Sequence, residues 1–344
     1  MLLSTLIRYD DDDPIRTAES VVALEPAGLD VVWVPEAYGF DSVSMMGYLA
    51  ARTERMQIGS GILPLYSRTP TLTAMTAAGL DALSGGRAIL GLGASGPQVI
   101  EGFHGVPYDK PIARTREVIE ICRAVWRRER IQHDGLYTIP LPPEQGTGLG
   151  KPLKLINRPR RAEIPIWLAA LGDKNVELTA ELADGWLPHL LIPEQLRAVF
   201  GPALDAGRAR RPAALGPLQI AAGGILALDE ESFAPARQLA RSMLALYIGG
   251  MGARGRNFYN TVFARQGYPD EAKLVQDLYL DGKKDAAAAA LPDDYVQRAT
   301  LIGPEGFVRE RIAALRAAGV THLHVNPVGP DTPRLLARVK EWIS

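Results

Sequence analysis

The chain has 344 residues, is 47% hydrophobic and carries a formal net charge of −1. Its 38 basic residues balance 39 acidic ones, so charge gives no reason to expect nucleic acid or a membrane surface as partner. The single cysteine, Cys122, excludes an internal disulfide, and no apolar run reaches the length of a membrane span.

Strand-like and helix-like segments then alternate along the chain. Leu2–Ile7 reads as a strand, not a signal peptide, because it is short, lacks an early basic cluster and turns acidic at Asp10–Asp13. A cytoplasmic protein is expected. Asp13 is a candidate cap for a helix with Pro14 at its first position, and Gly28 is its stop. Val31–Val34 is a strand, Asp41–Arg52 a helix, Met56–Leu63 a strand and Pro70–Leu83 a helix. Ala88–Leu92 is a strand, and Pro111–Trp126 a long helix. Cys122 shares one face of that helix with Val118, Val125 and Trp126 and reads as a small core residue. Ile164–Ala169 is a strand, Asp173–Ala183 a helix, and Gly185–Leu190 and Leu218–Leu226 are further strands. Pro304–Ala318 is a helix and Thr321–Val325 the last strand; Thr332 caps a final helix that begins at Pro333.

Eight strands, nearly all followed by helices, and several of them apolar without alternation, predict an α/β chain with a (β/α)8 TIM barrel. A doubly wound open sheet is the alternative. Two stretches exceed a minimal barrel, about 127–161, with a hairpin of Ile131–His133 and Leu136–Ile139 around Asp134-Gly135, and about 240–299, rich in glycine, aromatics and an alanine helix at Asp285–Leu291. No boundary divides residues 1–344, so a single domain is expected.

The stretch Ala88–Gly105 is the most informative. Gly91, Gly93 and Gly96 match a dinucleotide fingerprint, but position 116 is Arg, and Glu117 falls in a helical pattern where an acidic strand end belongs. A strand running into a glycine turn and a Pro-started helix makes an anion site from backbone amides, or simply joins two elements. In a barrel the working residues follow the strands. Those residues include Glu36 and Tyr38 after the second strand, Gly61, Ile62 and Tyr66 after the third, and the glycine turn with His104 after the fourth. Ala170, Leu171 and Gly172 follow the fifth, His189 the sixth and Asn326 the eighth. His322 and His324 share a strand face, yet no third metal ligand is identifiable, so no metal is expected. No G-x-S-x-G occurs, which leaves nucleophilic hydrolysis without support. A mouth of glycine turns, aromatics and few ionisable groups suits a large, flat, anionic cofactor whose ring carries the chemistry. Met45, Met46, Phe103, Trp186 and Phe258 are candidate pocket walls, with core packing the better account of most.

Five segments, in order, carry a family resemblance: Val34–Ala37, Gly59–Ile62, Gly91–Val99, Ala169–Gly172 and Glu181–Trp186. Together they resemble the luciferase-like group of flavin and deazaflavin barrels, and within it the coenzyme F420-dependent oxidoreductases, over the whole chain. The resemblance implies a luciferase-like TIM barrel with the cofactor at its C-terminal mouth. It implies a non-prolyl cis peptide at Gly61–Ile62 that backs the deazaflavin ring. Ser95, Gly96, Pro97, Gln98 and Val99 match the phosphate-binding loop, and Ala170–Gly172 with the turn holding His189 would lie along the cofactor tail. Sugar-phosphate dehydrogenases of the group carry His after the second-strand acid, whereas Ala37 follows Glu36 here. That departure favours reduction of an activated C=C or C=N over alcohol oxidation.

The expectation is therefore an F420-dependent oxidoreductase that transfers a hydride between deazaflavin and a small or peptide-like substrate. Glu36 or Tyr38 would be its proton donor, with a salt-bridged carboxylate as the other account of Glu36. An FMN-dependent monooxygenase of the same group is the alternative, and a non-catalytic cofactor-binding barrel the second. The resemblance further implies a homodimer.

Overall fold

The computed structural model describes residues 1–8 and 11–344. Tyr9 and Asp10, which head the acidic run, lie outside them. Ten strands occur in chain order: β1 (Leu2–Leu6), β2 (Val31–Val34), β3 (Gln57–Ser60), β4 (Leu63–Pro64), β5 (Ala88–Gly93), β6 (Ile166–Ala169), β7 (Gly185–Leu187), β8 (Gln219–Ala227), β9 (Leu301–Ile302) and β10 (His322–Pro327). All their pairings are parallel, and β10 bonds both β8 and β1, which closes the barrel. Its eight staves are β1, β2, β3, β5, β6, β7, β8 and β10. β4 resumes the line of β3 after two residues, and β9 flanks β8.

The strands are apolar on both faces because two layers bury them. Val32 and Val34 belong to the main core between strands and helices, whereas Val31, Trp33, Ile89, Trp167 and Ala221 fill the barrel interior. Trp33 lies over Gly59, where a Cβ would come within 2.5 Å of its ring, and Trp167 lies over Gly185, where a Cβ would come within 2.1 Å. The two indoles meet at 5.1 Å between centroids, and His322 stands edge-on to Trp167 at 4.8 Å. Each indole removes on the order of 200 Å² from water, worth on the order of 5 kcal/mol. They make the interior a packed floor beneath the mouth.

Asp13 and Asp41 cap helices Pro14–Val22 and Ser42–Arg52 by accepting from Arg16 N and Ser44 N. The last helix, Thr332–Ile343, is capped by Asp331, which accepts from Arg334 N at 3.2 Å. The cap expected at Thr332 is thus displaced by one residue, the carboxylate being the better acceptor. Helices Leu196–Arg208 and Glu230–Ala245 escape the sequence reading, and each holds an internal proline, Pro202 or Pro235, which reads as a break. The strand expected over Met56–Leu63 is split into β3 and β4. The expected hairpin reduces to one antiparallel bridge, His133 to Ile139. Its turn is held by Glu117, which accepts from Leu136 N and Tyr137 N at 3.0 Å each. The second extra stretch folds into a π-turn at Leu246–Gly250 and helices Phe258–Arg265, Pro269–Leu280, Lys284–Ala289 and Asp293–Arg298.

Candidate active site

One half of the mouth is built from the ends of β2, β3, β4 and β5. The Gly61–Ile62 peptide is cis. Gly61 N donates to Val34 O at 2.8 Å, which ties the break in the third stave to β2. Gly93 lies under Ile62, where a Cβ would come within 2.9 Å of Cγ1, so the two segments meet only because the side chain is missing. After Gly93 the chain turns through Ser95, which takes a left-handed φ of 58°, to Gly96, and a helix runs from Pro97 to Gly102. Ser95, Pro97 and Gln98 are exposed, and Gly96 and Val99 half-buried. The Ser95 carbonyl accepts from Tyr108 Oη at 3.4 Å. The amides of Ser95, Gly96 and Gln98 donate to no group among the described residues. Three adjacent amides of this kind can hold an anion.

Glu36 lies two residues beyond β2 and is largely buried beside Arg68. Arg68 Nη1 and Nη2 reach its two oxygens, the latter at 2.9 Å, and Ser42 N and Oγ each donate to Oε2 at 3.1 Å. Burial pushes its pKa up, but the Arg68 and Ser42 hydrogen bonds outweigh it and hold the carboxyl below the usual range. With both oxygens engaged by Arg68 and Ser42, Glu36 fits the salt-bridged account that stands beside the proton-donor one. Tyr38 is 67% exposed on the rim, with its ring 6.1 Å from that of Phe103. Of the other residues that follow strands, Tyr66 commits its hydroxyl to Asp109 O at 2.8 Å, and His104 sits edge-on to Phe103 at 5.3 Å. Met46 and Trp186 are core residues, whereas Phe103 and Phe258 stand exposed.

Ala170 is buried, and its carbonyl accepts from Trp186 Nε1 at 2.9 Å. Leu171 and Gly172 are half-buried, and Gly172 lies under the ring of Phe258, where a Cβ would come within 2.9 Å. His189, beyond β7, belongs to the opposite half of the mouth. Its ring packs on Tyr247 at 4.0 Å and edge-on to Tyr259 at 5.5 Å, and the two tyrosines meet at 5.0 Å. His324 of β10 places Nδ1 3.5 Å from Ser4 Oγ. Burial, and the nearness of His324, push the His189 imidazole down to about 4, and burial alone does the same to His324. Both rings are therefore neutral at pH 7. Tyr247, Arg68 and Ser4 were not expected from the sequence.

Two surface hollows, of about 390 and 450 Å³, lie away from this mouth. One sits by Trp342, and the other by Met1 and Thr321 at the strand starts. The barrel argument puts chemistry at the other end of the strands, and the convergent polar groups lie there too. Among the described residues no three metal-ligating side chains come together, and no helix is long and apolar enough to cross a membrane.

Fold and mouth define a parallel (β/α)8 barrel whose mouth joins a glycine-and-amide half to a histidine–tyrosine half. The model of the luciferase-like monooxygenase family matches residues 4–322, and the chain belongs to that family. A Mycobacterium tuberculosis protein named as a coenzyme F420-dependent oxidoreductase is 43% identical over 328 residues, 94% of each chain. The 5,10-methylenetetrahydromethanopterin reductase of Archaeoglobus fulgidus is 30% identical over 327 residues, 93% of this chain and 92% of that one. Among solved structures, the F420-dependent tetrahydromethanopterin reductase from Methanopyrus kandleri superposes with a TM-score of 0.80 at 22% identity, covering 99% and 97% of the two chains.

Proposed function

We propose that the protein is a coenzyme F420-dependent oxidoreductase that reduces an activated C=C or C=N bond of a small organic substrate. The observation that carries this reading is the glycine half of the mouth. The Gly61–Ile62 bulge stands beside three amides without partners among the described residues, in a chain 43% identical over 94% of its length to a protein named for F420. When bound, the deazaflavin supplies or accepts a hydride. Ser95–Val99 would hold its phosphate through the amides, Gly61 and Ile62 would back its ring, and Ala170–Gly172 would line its tail.

Glu36 holds the β2 end to Arg68 and to the start of helix Ser42–Arg52, so it positions the mouth and moves no proton. Tyr38 remains the rim hydroxyl able to pass a proton to the substrate atom beside the reduced carbon. The reading is tested by titrating the protein with oxidised F420 and with FMN, followed by fluorescence. Reduced F420 is then offered with cyclohex-2-en-1-one and 1-pyrroline as enone and imine probes. Saturable F420 binding with oxidation of F420 by either probe is expected. FMN binding with oxygen-dependent turnover, and no F420 binding, overturns it.

A further inference from the structure

The two halves of the mouth differ in chemistry. One is glycine and backbone; the other is His189 just beyond β7, His324 within β10, and Tyr247 and Tyr259 from the helical stretch that follows helix Glu230–Ala245. A flat ring held on the first half would leave its other face to the second. Tyr247 reaches His189 through an unusual backbone. It lies in the π-turn Leu246–Gly250, where the helical run that began at Glu230 ends and its last carbonyls need outside donors. The glycine pair that ends the turn lets it press on Tyr279. A Cβ at Gly249 would come within 2.4 Å of Tyr279 Cβ, and one at Gly250 within 2.5 Å of its ring.

The freed carbonyls are met by one residue above all. Asn257, 2% exposed, donates from Nδ2 to Tyr247 O at 2.9 Å and to Ile248 O at 3.0 Å. Asn260 Nδ2 adds a bond to Ile248 O at 3.1 Å. The other end of the Asn257 amide caps helix Phe258–Arg265, its Oδ1 accepting from Tyr259 N at 2.9 Å and Asn260 N at 3.2 Å. One side chain thus fixes both tyrosines that flank His189.

We propose that the histidine–tyrosine half is the subsite of the second substrate, facing the cofactor half, in place of the cofactor-tail role that the resemblance implies for the His189 turn, and that Asn257 is the residue that positions it. The occupant is a planar, uncharged group with a nitrogen or oxygen able to hydrogen-bond a neutral imidazole. The subsite assignment rests on the F420 reading; the positioning role does not.

Asn257→Ser separates the two duties, since serine still caps the helix but cannot donate to the carbonyls of residues 247 and 248. In histidine-labelled protein without cofactor, the His189 imidazole NMR signals are expected to move in Asn257→Ser in the same direction as in Tyr247→Leu. The double variant should move them no further, as coupled neighbours require. Unmoved signals, or additive shifts, overturn the positioning role. Asn257→Asp, which also keeps the cap, serves if the serine variant does not fold. The affinity for oxidised F420 is expected to stay within about twofold of wild type in Asn257→Ser and Tyr247→Leu. A loss of about tenfold makes this half a cofactor wall and overturns the subsite assignment. If the wild type binds no F420, the F420 reading fails, the subsite assignment falls with it, and the imidazole signals still decide the positioning role.

Discussion

The Ser60 hydroxyl stands in for a missing piece of β-ladder opposite Gly91. It donates to Gly91 O at 2.7 Å and accepts from Gly91 N at 2.8 Å. β3 pairs with β5 as far as Gly59 opposite Ile89, and pairing resumes only with Leu63 opposite Leu92. Between them the chain leaves the sheet at Gly61–Ile62, and both polar groups of Gly91 would be buried without partners. Gly91 must in turn be glycine, since a Cβ there would lie 1.8 Å from Ser60 O. Ser60→Ala is expected to cost about 3 kcal/mol, because it strands a buried donor and acceptor. It should also weaken F420 binding, since the bulge loses its anchor. A denaturant melt and an F420 titration check both effects; an unchanged melt refutes the account.

The Glu36–Arg68 pair gives a prediction with a definite sign. The folded carboxyl is held below its ordinary value of 4.5. Its stabilisation is therefore present in full above about pH 4.5 and is lost as pH falls through the lower folded value. Glu36→Gln keeps hydrogen bonding but leaves the Arg68 guanidinium, mostly buried, without its counter-charge. A loss of about 2 kcal/mol at pH 7 is expected, narrowing as pH drops below 4.5. Melting wild type and variant side by side from pH 7 to 3.5 measures the gap. Turnover that vanishes while cofactor affinity and stability stay intact restores Glu36 as a proton donor.

Histidines act in the opposite charge sense at a higher pH. His189, His322 and His324 are each pushed down to about 4 by burial, from an ordinary 6.5. As pH falls below 6.5 the unfolded chain takes up protons that the folded chain refuses. Their contribution is thus complete above pH 6.5 and is lost as pH falls toward 4. The protein is expected to lose melting temperature across that window. A His189→Gln, His324→Gln variant should lose less of it than wild type, and equal slopes would show that these rings titrate normally when folded.

The barrel was legible because its signals are local. Parallel strands buried on both faces must be short apolar runs, and Val31–Val34 and Ala88–Leu92 could be little else. The glycine turn was legible for the same reason. The Gly61–Ile62 peptide was not: its cis state came from family resemblance, since nothing local to glycine and isoleucine demands it. Arg68 was missed because it follows Glu36 by 32 residues, and only the pairing of β2 with β3 brings the two loops together. Tyr247 and Asn257 were missed because a π-turn has no hydrophobic period to betray it. The preceding helix was itself hidden by Pro235.

Ser95 offers a test of whether the anion site is made of backbone or of side chain. Its φ of 58° is a left-handed conformation that costs a non-glycine residue roughly 1 kcal/mol. Its side chain is exposed and makes no hydrogen bond among the described residues, so nothing in the fold recovers that cost. Ser95→Gly removes the hydroxyl, relieves the conformation and leaves the amides of residues 95, 96 and 98 where they are. The loosened unfolded chain offsets part of the relief, so a melting temperature equal to or slightly above wild type is expected. If amides hold the phosphate, F420 affinity should stay within about threefold, because the donors are unchanged. A loss of about tenfold at unchanged stability would move the contact from the backbone to the hydroxyl.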